Sequence, residues 1–417
     1  MTRRGLRSAL VLAFVTTVVP TAFAQKTTLT IASWTGNDAL IESVLPGFLE
    51  THPDIDVQVV GGLGYDDYHP ALNNRLQSGD VEDVVSLGGQ FVVGYAEGNL
   101  LENLAGEPYG ADAAFLAQFN PNQVALATGP EGNIAAIPND APPQVTFYRH
   151  DVLEEVGLTA EDITSSWDAY IAAGERLKEQ GVFISNGATD VASTIWSSNI
   201  PEGEGVFFDA DGNPVVDSER FVQAFTVAKQ IRDAGLDSRI GGWTPEWFDA
   251  FKTGKVASII TGSWFENILI DQVDPEGAGN WRVALAPEGT TTVNGGAFFA
   301  IPAAARNKEA AWELIQYLTA DPAVQAQVFA ESGNFPANLQ ALEQPVFSED
   351  VPYFGGQKAY EVYAEAARAI TPALSSPDFA LANTVVTDAL TQVLEQGADI
   401  ETALADAQAL IERRTRR

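Results

Sequence analysis

The chain contains no cysteine and only three histidines among its 417 residues. The absence of cysteine excludes disulfides, thiol nucleophiles and thiolate metal sites. His52, His69 and His150 have no partners at the spacing of a metal site or of a catalytic triad. A glycine-rich phosphate loop with its lysine is also missing. We therefore expect no metal, no cofactor and no catalytic residue, and hence a binding protein and not an enzyme.

Basic residues are scarce, with 23 Lys and Arg against 56 Asp and Glu, for a formal net charge of -33. Such a chain repels nucleic acid and anionic membrane surfaces, so we expect no nucleic-acid partner. The acidic residues are scattered and form no metal-loop spacing. The acidity is therefore best explained as a means of keeping the protein soluble, including in saline surroundings.

Apolar runs long enough to cross a bilayer are absent. The start of the chain instead has the pattern of a secretory leader, with Arg3, Arg4 and Arg7 before the apolar residues 9–19 and Ala22-Phe23-Ala24 at the cleavage position. We expect a signal peptide over residues 1–24, a mature protein in the periplasm and no membrane anchor. A retained N-terminal anchor is the alternative.

Hydrophobic periodicity alternates between strand and helix along the first hundred residues. Strands are predicted at 29–31, 55–59 and 84–87, and helices at 38–50 and 66–78. This order is typical of an open α/β sheet, whose ligand crevice lies beyond the carboxyl ends of the strands. The predicted loops there are 34–38 and 88–90.

Proline and glycine mark three places where the chain is expected to cross between two lobes: 134–149, 294–296 and 332–336. Further strands are predicted at 145–148, 256–260 and 298–301. Further helices are predicted at 167–177, 219–233 and 247–253, after Asn307 and Pro322, and over much of 357–412.

Tryptophan is the most informative residue type, with eight copies. Trp34, Trp196, Trp243 and Trp264 lie at predicted loop or strand ends. There an indole face can pack on the C–H face of a sugar ring while polar neighbours bond to its hydroxyls. Trp167, Trp281 and Trp312 are expected in the core, and Trp247 fits either role. These positions favour a neutral carbohydrate as ligand.

Four stretches resemble the extracellular solute-binding proteins of family 1, the carbohydrate receptors of ATP-driven (ABC) importers. They are TLTIASWTG at 28–36, LQSGDVEDVV at 76–85, AFKTGKVASIITGSWF at 250–265, and the stretch from Gly295 through SGNFP at 295–336. Glu82 stands where the family usually has proline, and TSSWD at 164–168 departs from the usual Pro-x-Thr-Trp-Asp.

The resemblance implies an α/β fold of the two-lobed periplasmic-binding-protein type, each lobe an open sheet flanked by helices, with a ligand cleft between the lobes. We expect residues 25–139 and 295–336 to form the N-lobe, and 140–294 and 337–417 to form the C-lobe with the C-terminal helices. The family closes on its sugar by a hinge motion. A monomer that delivers its ligand to the membrane permease subunits of an importer is expected.

The resemblance also places the ligand-binding residues, with Trp196 and Trp243 assigned by approximate position alone. They are Trp34, Gly36, Asn37, Asp38, Gly89, Gln90, Asn139, Asp140, Trp196, Trp243, Trp264, Gly295, Gly296 and Asn334.

Other ligands and functions remain open at this stage. A phosphorylated solute would call for Arg or Lys in the loops, which contain almost none. Iron would want tyrosine or histidine ligands, for which Tyr65 and Tyr68 are available. A secreted glycoside hydrolase would need two carboxylates at a fixed separation. A purely structural surface protein would respond to no ligand.

Overall fold

A computed structural model of the chain describes residues 26–96, 99–129 and 131–415. The predicted signal peptide, residues 1–24, lies outside these ranges. None of the described helices is long and apolar enough to span a membrane.

The strands form two separate sheets. They are β1 Thr27–Ala32, β2 Ile55–Val60, β3 Val84–Gly88, β4 Ile137–Pro138, β5 Gln144–Arg149, β6 Ser258–Gly262, β7 Trp281–Ala284 and β8 Ala297–Ala300. The first sheet has the order β2-β1-β3-β8-β4, and the second has the order β6-β5-β7. β1 runs parallel to β2 and β3, whereas β8 is antiparallel to both of its neighbours. The second sheet is antiparallel throughout.

Helices surround both sheets. The first part of the chain contributes α1 Asn37–Thr51, α2 Tyr65–Ser78, α3 Gly89–Ala96, α4 Ala113–Leu116 and α5 Pro121–Ala127. The middle contributes α6 His150–Glu155, α7 Ala160–Thr164, α8 Trp167–Lys178, α9 Ala188–Trp196, α10 Glu219–Asp233, α11 Pro245–Lys252 and α12 Phe265–Ile268. The last part contributes α13 Lys308–Ala320, α14 Pro322–Ser332, α15 Ala359–Ala369, α16 Phe379–Gln396 and α17 Ile400–Thr415.

The five-stranded sheet is covered on both faces, as its central strand requires. Every residue of β3 is buried. Val84 packs on one side in a cluster with residues of α1 and α13, and Val85 packs on the other with residues of α2. A strand buried on both faces is the expected consequence of a near-continuous apolar run.

The three-stranded sheet organises the remainder of the chain. Phe147 packs with residues of α11 and α15, while Tyr148 joins the core that contains α8, α10 and α16. Trp167 and Trp281 are buried in these cores, and Trp312 is buried in that of the first sheet. The prediction that these three indoles are core residues is confirmed.

The chain passes between the sheets along three segments that lie side by side. Asn139 N donates to Ala297 O at 2.8 Å, and Ala141 N donates to Phe335 O at 2.9 Å. Asn294 N donates to Pro142 O, also at 2.9 Å. We name these segments, residues 139–143, 293–297 and 335–337, the hinge strands. Their backbone bonds join the two sheets at one place, which is the geometry a hinge needs.

Candidate functional site

The first aromatic group lies beyond the carboxyl end of β1. The Trp34 ring contacts Tyr65, Tyr68 and His69, with ring centroids 5.1, 5.7 and 5.5 Å away. Tyr65, Tyr68 and His69 all lie on α2. Because Tyr68 and His69 follow Tyr65 by three and four positions, the three side chains share one face of that helix. Trp34 is half-buried and keeps part of its ring open.

Asp38 organises the loop that carries Trp34. Its carboxylate accepts hydrogen bonds from Gly36 N at 2.8 Å, Ala39 N at 2.8 Å and Gly62 N at 3.2 Å. A Cβ at Gly61 would lie 2.0 Å from Asp38 Oδ2, so the approach requires glycine there. Asp38 therefore holds two neighbouring loops together, which leaves its carboxylate little capacity for a ligand.

Asn37 is similarly engaged within the fold. It is 5% exposed, and its Nδ2 donates to Ser33 Oγ at 2.7 Å and Ser86 Oγ at 3.3 Å. The amide thus ties the ends of β1 and β3 together. It supports the loop from beneath and does not line an open surface.

Next to the aromatic group around Trp34, the backbone of Gly89 at the start of α3 meets that of Gly296 on the hinge strands. Gly89 N donates to Gly296 O at 2.9 Å. Gly296 has φ +105°, and a Cβ there would lie 2.1 Å from Gln123 Nε2. Gly89 is buried and Gln90 is exposed. The prediction of a loop at 88–90 is wrong in one respect, because α3 already begins at Gly89.

Asp140 places a carboxylate on the hinge strands. One of its oxygens accepts a hydrogen bond from Ala297 N, which offsets the cost of ionisation only in part. Burial raises the pKa of Asp140 to about 6. Burial and, next, the charge of Asp140 raise the pKa of Tyr65 to about 12. Neighbouring Asn139 is buried, and its Oδ1 accepts from Gln325 Nε2 at 3.2 Å.

The second aromatic group belongs to the other sheet. Trp264 lies just after β6, and its Nε1 donates to Asn294 O on the hinge strands at 2.9 Å. The Trp243 ring lies 6.1 Å from Trp264 at an interplanar angle of 27°, and 5.1 Å from Trp247. Trp243 is 57% exposed and has φ +63°. Trp264 thereby connects this group to the same strands that carry Asp140 and Gly296.

The two remaining predicted residues, Trp196 and Asn334, belong to neither aromatic group. Trp196 is the last residue of α9, is 2% exposed and stacks on Phe221 at 6.0 Å. It is a core residue because α9 turns its apolar face inward, so its predicted position at a loop or strand end is wrong. Asn334 lies in the third crossing, two residues before Pro336, which pairs with Asp140.

The sequence pattern did not reveal several residues of the aromatic groups. Tyr65 is expected from the sequence only as an iron ligand and His69 as a residue without a site partner, yet both pack around Trp34. Phe91 stacks on His69 with centroids 4.0 Å apart. The spacing Tyr65–Tyr68–His69 on a predicted helix is a signal that could have revealed this face.

The arrangement suits a polyhydroxylated, uncharged molecule better than an ion. It combines two sets of aromatic rings, glycine backbone and the carboxylate of Asp140, and none of the fourteen predicted residues is Lys or Arg. Rings of this kind pack on sugar faces while carboxylates accept from hydroxyls. Within the described ranges, no group of three or more His, Asp or Glu side chains could hold a metal ion.

Comparison with known proteins agrees with this architecture. An arabinooligosaccharide-binding protein of Halalkalibacterium halodurans is 26% identical over 396 residues, which cover 89% of this chain and 86% of the relative. An sn-glycerol-3-phosphate-binding periplasmic protein of Brucella suis is 22% identical over 359 residues, 82% of each chain.

Among solved structures, the sugar-binding protein MalE from Xanthomonas citri superposes with a TM-score of 0.77 at 17% identity. The match covers 93% of this chain and 97% of that one, which establishes the shared two-lobed α/β fold. The profile of the family described as bacterial extracellular solute-binding protein matches residues 47–355. This chain therefore belongs to the bacterial extracellular solute-binding proteins.

Proposed function

We propose that this protein is a receptor that captures a neutral mono- or oligosaccharide between its two lobes and delivers it to an ABC importer. The proposed N-lobe comprises residues 25–139 and 295–336, and the proposed C-lobe comprises 140–294 and 337–417. The five-stranded sheet draws its strands from the first set and the three-stranded sheet from the second.

One observation carries the proposal. Trp34 and Trp264 follow strands of different sheets. Trp264 bonds directly to Asn294 O on the hinge strands. Trp34 packs on Tyr65, whose hydroxyl lies against Gly88, and the next residue, Gly89, donates to Gly296 O on the same strands. A sugar that reaches both indoles contacts both lobes at once. Such a ligand binds the closed form more tightly than the open form, and so shifts the population toward closure. The importer then has a loaded shape to recognise.

The main competing ligand is a phosphorylated polyol, since the Brucella relative is named for sn-glycerol-3-phosphate. Recognition of phosphate usually employs Arg or Lys in bidentate or charge-assisted bonds. None of the fourteen residues predicted from the sequence is Lys or Arg, and the side chains described above as packing on Trp34 and Trp264 include neither. The name of the Halalkalibacterium relative supports a saccharide instead.

A glycoside hydrolase is the competing function from another class. It requires two carboxylates on opposite sides of the scissile bond. Of the two acidic residues in the proposed site, Asp38 already accepts three backbone hydrogen bonds. That leaves Asp140 without a second carboxylate of the proposed set. We therefore propose binding without turnover, no metal and no cofactor.

The cellular setting is part of the same proposal. A leader over residues 1–24 would direct the chain out of the cytoplasm, and the mature protein would act in the periplasm as an unanchored monomer. The leader pattern with its three arginines supports export.

A thermal-shift screen tests the ligand class. Neutral arabino-, malto- and galacto-oligosaccharides are compared with their monosaccharides, with sn-glycerol 3-phosphate and with glucose 6-phosphate. We expect at least one neutral saccharide to raise the unfolding midpoint in a concentration-dependent manner, because a ligand that binds only the native state stabilises it by mass action.

Isothermal titration then measures the affinity, with Trp264→Ala as the test variant and Trp312→Phe as the control from the core. Only the first should abolish binding. Stabilisation by the phosphorylated solutes alone, or release of new reducing ends from a bound glycan, would refute the proposal.

A further inference from the structure

His69 has both ring nitrogens engaged by the backbone. Nε2 lies 3.0 Å from Gly88 N, and Nδ1 lies 2.9 Å from Tyr65 O. An amide N–H can only donate, so Nε2 must be the acceptor. A carbonyl can only accept, so the proton sits on Nδ1. The two bonds together specify one neutral tautomer.

The ring also lies at the centre of the first aromatic group. It is 1% exposed, stacks on Phe91 at 4.0 Å and 15°, and lies 4.4 Å from the Tyr65 ring and 5.5 Å from Trp34. Its partner Gly88 ends β3 and directly precedes Gly89, whose own N–H binds the hinge strands. The His69 side chain, which belongs to α2, thus contacts the Trp34 loop, the end of β3 and α3.

We propose that His69 is a positioning residue of the saccharide site, which holds Trp34 and the Gly88–Gly89 backbone in the binding geometry while its ring is neutral and releases them when it gains a proton. The inference rests on the proposed function. His69 acts through Trp34 and Gly89 and needs no contact with the ligand.

Protonation breaks the arrangement for a simple reason. A second proton on Nε2 would point at the N–H of Gly88, so two donors would face each other and the bond would be lost. The Tyr65 hydroxyl packs directly against Gly88, because a Cβ there would lie 1.9 Å from Tyr65 Oη. Movement of either partner therefore disturbs the ring pair Tyr65–Trp34.

The surroundings of His69 favour its neutral form. Burial lowers the pKa of His69, while the Tyr65 carbonyl and the charge of Asp66 oppose this shift. On α2 the titratable neighbours are Tyr65, Asp66 and Tyr68, and Asp140 reaches the cluster through Tyr65. Trp34, Phe91 and the backbone of Gly88, from the other three elements, do not titrate. The ring is neutral at neutral pH and becomes charged on the acid side.

The first experiment needs no ligand. Long-range proton–nitrogen NMR of the histidine rings in the whole mature protein should show the Nδ1–H tautomer for His69. On acidification, tryptophan emission should change together with protonation of His69. His69→Gln should remove this change, because the amide oxygen can still accept from Gly88 N but cannot titrate. His150→Gln, at a partly exposed histidine outside the site, should keep it.

The second experiment measures binding of the strongest neutral saccharide from the screen at several pH values. His69→Phe keeps the ring contacts and loses both hydrogen bonds, so at neutral pH its affinity should be up to about tenfold below that of the wild type. This difference should shrink in acid, where the wild type also loses the bond to Gly88. The wild type should lose affinity in acid, and His69→Gln should lose less. Because burial raises the pKa of Asp140 to about 6, this carboxyl group could also contribute a pH dependence, and the comparison is repeated in proteins that carry Asp140→Asn. In the Asp140→Asn background, the protein that retains His69 should still lose more affinity in acid than the protein that also carries His69→Gln.

Three results would overturn the inference: an Nε2–H tautomer, wild-type affinity and pH profile in His69→Phe, or equal acid sensitivity in wild type and His69→Gln. Failure of every saccharide to bind the wild type would count against the proposed function. In that case the tautomer and the emission change of the ligand-free protein still decide the role of His69 by themselves.

Discussion

Trp243 combines an exposed indole with a left-handed backbone, and both features are unfavourable for stability. A non-glycine residue in this region costs about 1–3 kcal/mol, and at φ +63° Trp243 has this conformation while remaining 57% exposed. Strain of this kind persists where the surrounding structure or the function requires it. Its proximity to Trp264 gives the retained indole a role at the second aromatic group.

The substitution Trp243→Asn should therefore separate stability from binding. Asparagine tolerates positive φ, so the unfolding midpoint should stay the same or rise, while saccharide affinity falls about threefold to tenfold through loss of a stacking surface. Calorimetry of unfolding and of binding checks both. Trp281→Phe is the control with the opposite signature, because it replaces a fully buried indole by a smaller ring and removes the bond to Asp274 but leaves the site unchanged. A Trp243→Asn variant with wild-type affinity would remove this residue from the site.

Asp140 predicts a specific pH dependence of stability. Its folded pKa of about 6 lies above its ordinary value of 3.8, so the folded state holds the proton more tightly than the unfolded state. Its stabilising contribution is thus fully present below 3.8 and is lost as the pH rises through about 6. The unfolding midpoint of the wild type should rise relative to that of Asp140→Asn as the pH falls across this window. Parallel curves for the two proteins would contradict the raised pKa.

At the scale of elements, the hinge strands depend on two glycines with nearly equal backbone angles. Gly295 has φ +104° and Gly296 has φ +105°. A Cβ on Gly295 would meet nothing closer than 3.9 Å, whereas one on Gly296 would lie 2.1 Å from Gln123 Nε2, which bonds to Asp140 O. The pair therefore distinguishes backbone strain from a steric clash.

Gly295→Ala should cost about 1–3 kcal/mol of unfolding free energy from the backbone angle alone. Gly296→Ala should cost measurably more, because it also displaces Gln123 from the hinge strands. Denaturant unfolding of both variants gives the difference directly, and Gly356→Ala, at φ +81° in open space, is the control for strain away from the hinge. Equal losses in Gly295→Ala and Gly296→Ala would show that the close approach of Gln123 is unimportant.

The elements themselves were predictable where one physical signal dominated. α10 matches its predicted range of 219–233, and α1 and α2 differ from theirs by only a residue at either end, because their apolar faces repeat with helical period. α3 was missed since Gly89 reads as a turn residue, although here it begins a helix. Trp196 was misplaced because nothing local marked it as the end of α9.

The site was predictable in part for a related reason. Residues that follow strands or crossings, such as Trp34 and Trp264, can be recognised as site candidates from their position in the sequence alone. His69 and Tyr65 join the site through packing of α2 beside Trp34, which is a tertiary contact that no local pattern encodes. Hydrogen bonds to other parts of the fold likewise assign Asn37 and Asp38 to loop support, which their polar side chains do not indicate.

At the scale of the whole molecule, the net charge of -33 opposes compaction. Like charges repel across the folded surface, and this repulsion is screened over a Debye length that shrinks to about 3 Å at 1 M salt. The unfolding midpoint should therefore rise between low and high NaCl concentration. Trimethylamine N-oxide stabilises proteins by exclusion and is not a saccharide, so a comparison of NaCl with this osmolyte at equal osmolality separates the electrostatic part.

The same negative charge should give anionic solutes and neutral saccharides different association kinetics. An anionic solute approaches a negative molecule against a repulsive potential, so its association would accelerate steeply with salt, whereas association of a neutral saccharide should be nearly independent of salt. Stopped-flow tryptophan fluorescence at several NaCl concentrations measures this slope. The proposed neutral ligand requires a flat dependence, and a steep rise in the association rate with salt would indicate that the captured molecule carries negative charge.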